Sequence, residues 1–319
     1  MHEFEITDDI SHHSTITKTI ATFASMSQSP SVLLITPPFT QLNTPYPATA
    51  YLKGYLDTLS IKGHQLDLGI EVILEIFSKK GLTEIFSQIS EDMLDSNSQR
   101  IFSLQQLYID CIEPVILFLQ NKNPTLAYSI VEGDFLPKAS RFDQLDDLVW
   151  AFGELGIQDK ARHLGTLFLE DLSDFIQQNI DPYFGFSRYA EKLSISAETF
   201  DSIEQALQET PTLVDRILQR LLDKYLKLHQ PDLVLLSIPF PGNLYSGLRC
   251  GQFIKKNYPN IRVAMGGGYP NTELRNISDV RVFEYVDYVT LDDGEKPVEL
   301  LIKYIYDNST ALKRTFLLN

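Results

Sequence analysis

Between residues 231 and 268 the hydrophobic pattern changes period twice. An apolar run, Leu233-Val234-Leu235-Leu236-Ser237-Ile238, breaks at Pro239-Phe240-Pro241-Gly242-Asn243. Apolar positions then recur at helical spacing from Leu244 to Lys256, and a second run, Ile261-Arg262-Val263-Ala264-Met265, ends in Gly266-Gly267-Gly268. Continuous apolar runs bounded by turn residues suit strands covered on both faces, and a helix between two such runs makes them parallel, with a right-handed connection. The loops over 237–243 and 266–272 are therefore expected at the carboxyl ends of neighbouring strands, the edge where open α/β sheets bind ligands.

The same pattern places three more strands. Ser31 to Thr36 reads as a first buried strand that stops at Pro37-Pro38, because proline cannot donate to a ladder. Ala48 to Ile61 repeats apolar residues at helical spacing, Gly63 supplies a cap, and His64 to Leu68 is expected as a second strand. Phe283 to Leu291 alternates and is rich in β-formers, which makes it the fifth. From Gly69 to Gln230 strand signals vanish and apolar positions recur at three and four residues, as in Leu213, Val214, Ile217, Leu218, Leu221 and Leu222. Pro114, Pro124, Pro137, Pro182 and Pro211 are expected to divide that segment, with Thr210-Pro211 starting its last helix. A stretch of this length exceeds any crossover and reads as a subdomain.

The fold class expected is α/β: a doubly wound, parallel, five-stranded sheet of flavodoxin-like or Rossmann-like order 2-1-3-4-5 with a large inserted α-helical subdomain. The expected divisions are a leader over 1–30, a first part of the α/β domain over 31–70, the helical insertion over 71–230 and the second part over 231–319.

Composition narrows the partners. Against 27 lysines and arginines stand 42 aspartates and glutamates, a formal charge of -15, which repels phosphate backbones and anionic membrane surfaces. Neither nucleic acid nor a membrane is expected as a partner. The start of the chain lacks the apolar middle of a signal peptide, and a cytoplasmic location is expected. Two cysteines, Cys111 and Cys250, give neither a disulfide framework nor metal-ligand spacing, and both are read as packing residues. His12-His13 point different ways on either a helix or a strand, and His163 has no second ligand at helical spacing, so no metal site and no catalytic residue is assigned.

The switch point of such a sheet lies between its first and third strands, where the loops after Thr36 and Ser237 face each other. The first of these, Pro37-Pro38-Phe39-Thr40-Gln41-Leu42-Asn43, has none of the glycines that a dinucleotide turn needs, makes a poor flavin phosphate loop, and lacks the paired acids of a receiver domain. What remains is a ligand with a large, mostly uncharged face. Ser237 offers a hydroxyl, Gly242 and Gly266 to Gly268 allow close backbone approach, and Phe240 and Tyr269 offer flat apolar surface. Plain turns also use glycine triplets. Asp292-Asp293-Gly294-Glu295 stands at the same edge, although acids at a helix start also serve as caps. The aromatic stretch Asp181 to Tyr189 is either a packed loop or a lid over that edge, with Arg188 as a polar contact.

Taken in order, Pro37-Pro38, Tyr46-Pro47 leading into Tyr51-Leu52-Lys53-Gly54-Tyr55-Leu56, Pro231-Asp232-Leu233-Val234 with Ser237, Gly266-Gly267-Gly268, and Val286-Asp287-Tyr288-Val289 with Asp292 to Glu295 resemble the N-terminal cobalamin-binding domain of radical SAM enzymes. The likeness covers about 31–69 and 231–306. It implies a cobalamin whose nucleotide tail lies near Ser237 and the loop of Gly266 to Gly268, with the corrin over the carboxyl edge. The cofactor-binding residues it implies are Pro38 and Phe39 after the first strand and Ser237, Pro239, Phe240, Gly242 and Asn243 after the third. Gly266, Gly267, Gly268 and Tyr269 follow the fourth, and Asp293 and Glu295 the fifth.

Two departures qualify it. The Asp-x-His-x-x-Gly motif that ligates cobalt through histidine is missing after the first strand, so the cobalamin is expected without a protein histidine ligand, or the site is degenerate. The Cys-x-x-x-Cys-x-x-Cys motif is missing too, which places the 4Fe-4S cluster and S-adenosylmethionine in a radical SAM domain beyond this chain, its expected partner together with a small-molecule substrate. The alternatives are a non-catalytic docking module that binds no cofactor and a site for another nucleotide-like ligand at the same edge.

Overall fold

The computed structural model describes residues 30–40, 42, 46–143, 156–186, 200–275, 279–307 and 310–318. The expected leader and Arg188 lie outside them. Among the described residues the first elements are β1 (Ser31–Thr36), α1 (Ala48–Thr58) and β2 (Lys62–Asp67). A helical series follows: α2 (Leu68–Ile76), α3 (Lys79–Ser87), α4 (Ser96–Ser103), α5 (Gln105–Leu119), α6 (Leu126–Glu132), α7 (Ile157–Asn179), α8 (Asp201–Gln208) and α9 (Leu213–His229). The chain then returns to the sheet with β3 (Leu233–Ser237), α10 (Leu244–Asn257), β4 (Arg262–Gly266), α11 (Gly268–Thr272), β5 (Tyr288–Thr290), α12 (Glu295–Asp307) and β6 (Thr315–Phe316).

The protein is α/β with a mixed, mostly parallel sheet of six strands in the order β2-β1-β3-β4-β5-β6. This corrects the expectation of five strands, all parallel: β6 runs antiparallel to β5, pairing Phe316 with Val289 and Thr315 with Thr290. A two-residue strand is too short to show a period, which is why the pattern misses it. β5 is also shorter than the expected span of Phe283 to Leu291, because Val280–Glu284 forms a 3-10 turn. The Asp287 carboxylate, itself bound by Lys255 at 3.0 Å, takes the Val263 N–H at 2.8 Å, a donor that a longer strand would have used.

β1 and β3 are central and buried throughout except for Ser31. Val32, Leu34, Leu233, Leu235, Ala264 and Tyr288 build one face of the sheet, packed with Leu56 and Leu59 at the end of α1 and with Val298, Leu301 and Ile302 of α12. Each such aliphatic side chain, taken out of water, contributes about 1.5–3 kcal/mol. β2, at the edge, is partly exposed.

The chain divides into two compact units. One comprises Met1–Glu71, Phe186–Pro211 and Asp215–Asn319; the other comprises Val72–Gly185 with Thr212–Val214. The helical block expected over 71–230 is thus split, since α8 and most of α9 group with the sheet. Two further expectations are corrected. Pro114 lies inside α5 instead of ending it, and the helix continues because Cys111, Ile112, Val115 and Phe118 bury one side of it. α9 begins at Leu213, so Pro211 precedes the helix. Within the helical unit Tyr108 stacks on Phe168 at 5.2 Å, and the fully buried Asp171 accepts the N–H groups of Ala139 (2.9 Å) and Arg141 (3.0 Å).

Candidate functional site

The parallel register aligns Ser237 with Gly266, and Ile35 with Leu236, so the loops after β1, β3 and β4 emerge together at the carboxyl edge. A cavity of about 70 Å³ opens there on the face covered by α1 and α12. A water needs roughly 10–15 Å³ on this measure, so the space holds a ring-sized group and nothing as large as a corrin. Its apolar wall is Leu34, Leu52, Leu235, Ala264 and Val298; Ser237, Gly266, Gly267, Thr290, Asp292, Asp293 and Gly294 close its edge.

Ser237 is the polar centre of this wall. It is 7% exposed, and its Oγ is buried without a hydrogen-bond partner among the described residues. Leaving a buried hydroxyl unpaired costs about 1–3 kcal/mol on mutational scales, a cost that a ligand atom placed against it would recover. The other hydroxyls are used: Thr49 accepts from Gln65 Nε2 at 2.9 Å and Thr290 Oγ1 donates to the Met265 carbonyl at 3.4 Å.

The residues expected from sequence separate into groups. Ser237, Gly266, Gly267 and Asp293 line the cavity. Pro38, Phe39, Pro239, Gly242 and Asn243 are buried in the protein's own packing and outside the cavity lining; Asn243 Nδ2 donates to the Pro37 carbonyl at 2.7 Å, joining the loops after β1 and β3. Gly268 faces backbone, since a β-carbon there would lie 2.9 Å from the Pro239 carbonyl oxygen. Phe240 is 52% exposed, with Tyr46 edge-on at 5.9 Å. The Tyr269 N–H donates to Ile238 O at 3.0 Å, and burial pushes its phenol above the ordinary tyrosine range. Glu295 starts α12 and accepts a hydrogen bond from Tyr51, which raises that phenol.

The glycine loop meets the chain's own needs. Gly267 has φ 114°, and a β-carbon there would sit 2.7 Å from Ile238 O. The loop is fastened by Ile238 N–H to Gly266 O at 2.7 Å.

α1 and α12 are clasped beside the cavity. Tyr55 donates to Glu299 at 2.8 Å, and Lys303 and Lys296 reach the same carboxylate at 2.7 and 3.1 Å. Burial pushes the Glu299 carboxyl up, but these three hydrogen bonds outweigh it and hold it below the usual glutamate range.

Sequence reasoning did not single out Thr49 or Thr290, and it named Leu52, Asp292 and Gly294 in its motifs without counting them among the binding residues. Gly294, at φ 95°, closes against Leu52, and its place in Asp-Asp-Gly-Glu was a usable signal. Thr290 gave none.

The unpaired hydroxyl and the apolar wall fit the base of a nucleotide tail, and no imidazole of the described carboxyl edge lines the cavity. His64 lies in the middle of β2, stacked on His229 at 3.9 Å. Among the described residues no group of three histidines, cysteines, aspartates or glutamates could hold a metal, and no single helix is long and apolar enough to cross a membrane. The fold and site thus define an α/β protein with a ring-sized cavity at the carboxyl edge of its sheet. No family model, curated protein or solved structure matches the chain.

Proposed function

We propose that the sheet unit binds cobalamin through its nucleotide tail, as the region that precedes a radical SAM domain. The observation that carries this reading is the buried, unpartnered hydroxyl of Ser237 in the cavity between the sheet, α1 and α12. Ser237 would hydrogen-bond the tail's base while Leu34, Leu52, Leu235, Ala264 and Val298 exclude water from its faces. Tyr46, Phe240 and Tyr51, the last 64% exposed, would offer surface to the rest of the cofactor. When bound, cobalamin supplies a cobalt centre able to carry a methyl group. A 4Fe-4S cluster, S-adenosylmethionine and the substrate would belong to the partner domain; Cys111 and Cys250 are both buried.

A second reading, a docking module without cofactor, is favoured by the burial of Pro38, Phe39, Gly242 and Asn243 in the protein's own packing. Gel filtration after mixing with hydroxocobalamin decides between them. Corrin absorbance retained at near one-to-one stoichiometry, and reduced in Ser237→Val, supports cobalamin binding; a colourless protein peak supports docking.

A further inference from the structure

The two loops that line the cavity are joined by one side chain that does not itself line it. Asn271, in α11, accepts the Asp292 N–H on Oδ1 at 2.6 Å and donates from Nδ2 to the Asp292 carbonyl at 2.8 Å. An amide that satisfies both backbone groups of one residue fixes that residue's position and orientation together. Asp292 needs such fixing. It has φ 65°, a left-handed conformation that a residue with a β-carbon rarely adopts, and it opens the turn that carries Asp293 and Gly294 into the cavity wall.

The link is closed by charge. Arg275 donates from Nε to the Asn271 carbonyl at 2.9 Å and from Nη2 to the Asp292 carboxylate at 3.1 Å, and Arg314 approaches the other carboxylate oxygen at 3.5 Å. α11 is bound in turn to the far side of the site, through Tyr269 N–H to Ile238 O, one residue from Ser237. Its backbone begins directly after Gly266 and Gly267, which form the opposite wall.

We propose that Asn271 is a positioning residue that sets the spacing between the Gly266–Gly267 wall and the Asp292–Gly294 wall, and so the fit of a ring against Ser237. The inference rests on the reading of this cavity as a ligand site.

The test compares Asn271→Ala and Asn271→Asp with Tyr258→Phe. Tyr258 donates to Asp223 at 2.6 Å in the same unit and lines no part of the cavity, so its variant reports general destabilisation. Hydroxocobalamin is titrated into each. Asn271→Ala is expected to raise Kd about tenfold, the scale on which loss of a supporting residue weakens a site. Asn271→Asp keeps the bond from the Asp292 amide but sets a carboxylate oxygen against the Asp292 carbonyl, so it should weaken binding at least as much as alanine, and it carries the test if the alanine variant fails to fold. Tyr258→Phe should bind as the parent does. Unchanged binding in the Asn271 variants, or an equal loss in Tyr258→Phe, overturns the proposal.

If the parent protein retains no hydroxocobalamin, the cofactor reading fails and amide hydrogen exchange decides the inference. Faster exchange at both 266–268 and 291–294 in the Asn271 variants, with the core strands unchanged, upholds the clasp. Parent-like exchange there removes it.

Discussion

Asn243 is fully buried, and its side-chain amide donates to the carbonyl of Pro37 over 2.7 Å, across 206 residues of sequence. The bond ties the loop after β1 to the loop after β3 at the switch point of the sheet, and it gives Asn243 a structural duty where the sequence suggested contact with a ligand. Asn243→Leu removes the donor and leaves the Pro37 carbonyl buried and unpaired. Chemical denaturation should show a loss of about 1–3 kcal/mol. An unchanged midpoint would mean that the loops hold together without it.

Two glycine-to-alanine changes should act in opposite directions. Gly267→Ala places a β-carbon against Ile238 O in a backbone conformation that suits only glycine, and should lower stability by about 1–3 kcal/mol. Gly54→Ala, inside α1 with open space around it, should raise stability by about 0.5–1 kcal/mol. Thermal melts of the two variants check the pair. A cofactor-binding assay on Gly267 variants alone would confuse lost folding with lost binding.

His64, stacked on His229, should make the sheet unit sensitive to mild acid. Burial, His229 and the ammonium groups of Lys62 and Lys53 hold the His64 imidazole below its ordinary value. A group whose folded value is depressed contributes stability above its unfolded value, about 6.5, and loses it as pH falls through the folded value. Between pH 7 and about pH 5 the denaturation midpoint should therefore fall more steeply in the parent protein than in His64→Gln. Parallel slopes would show that the stack carries no such linkage.

In the helical unit the Tyr108 hydroxyl is buried without a hydrogen-bond partner among the described residues, while its ring stacks on Phe168. Tyr108→Phe keeps the stack and deletes the unpaired group. Stability should rise by about 1 kcal/mol, the sign opposite to most core changes. Ser237 carries the same kind of unpaired hydroxyl and lines a cavity, so Ser237→Ala should likewise raise the stability of the ligand-free protein by about 1 kcal/mol while weakening ligand binding.

The buried strands were legible because their physics is local. A strand covered on both faces must be apolar at every position, so β1, β3 and β4 stand out as continuous runs, and the glycines and prolines that end them mark the carboxyl edge. Ser237 and Gly267 could be placed at that edge on the same grounds.

The rest depended on partners distant in sequence. β6 exists because Thr315 and Phe316 find the open side of β5, and β5 stops where the Asp287 carboxylate takes a ladder donor from Val263. Neither event leaves a period in the chain. Burial of Phe39 and Asn243 inside the protein, and the double bond of Asn271 to Asp292, were settled by which loops the fold brought together. Hydrophobic spacing reports which side of an element meets the core; only the folded chain decides which polar atoms meet one another, and which, like Ser237 Oγ, stay unpaired among the described residues.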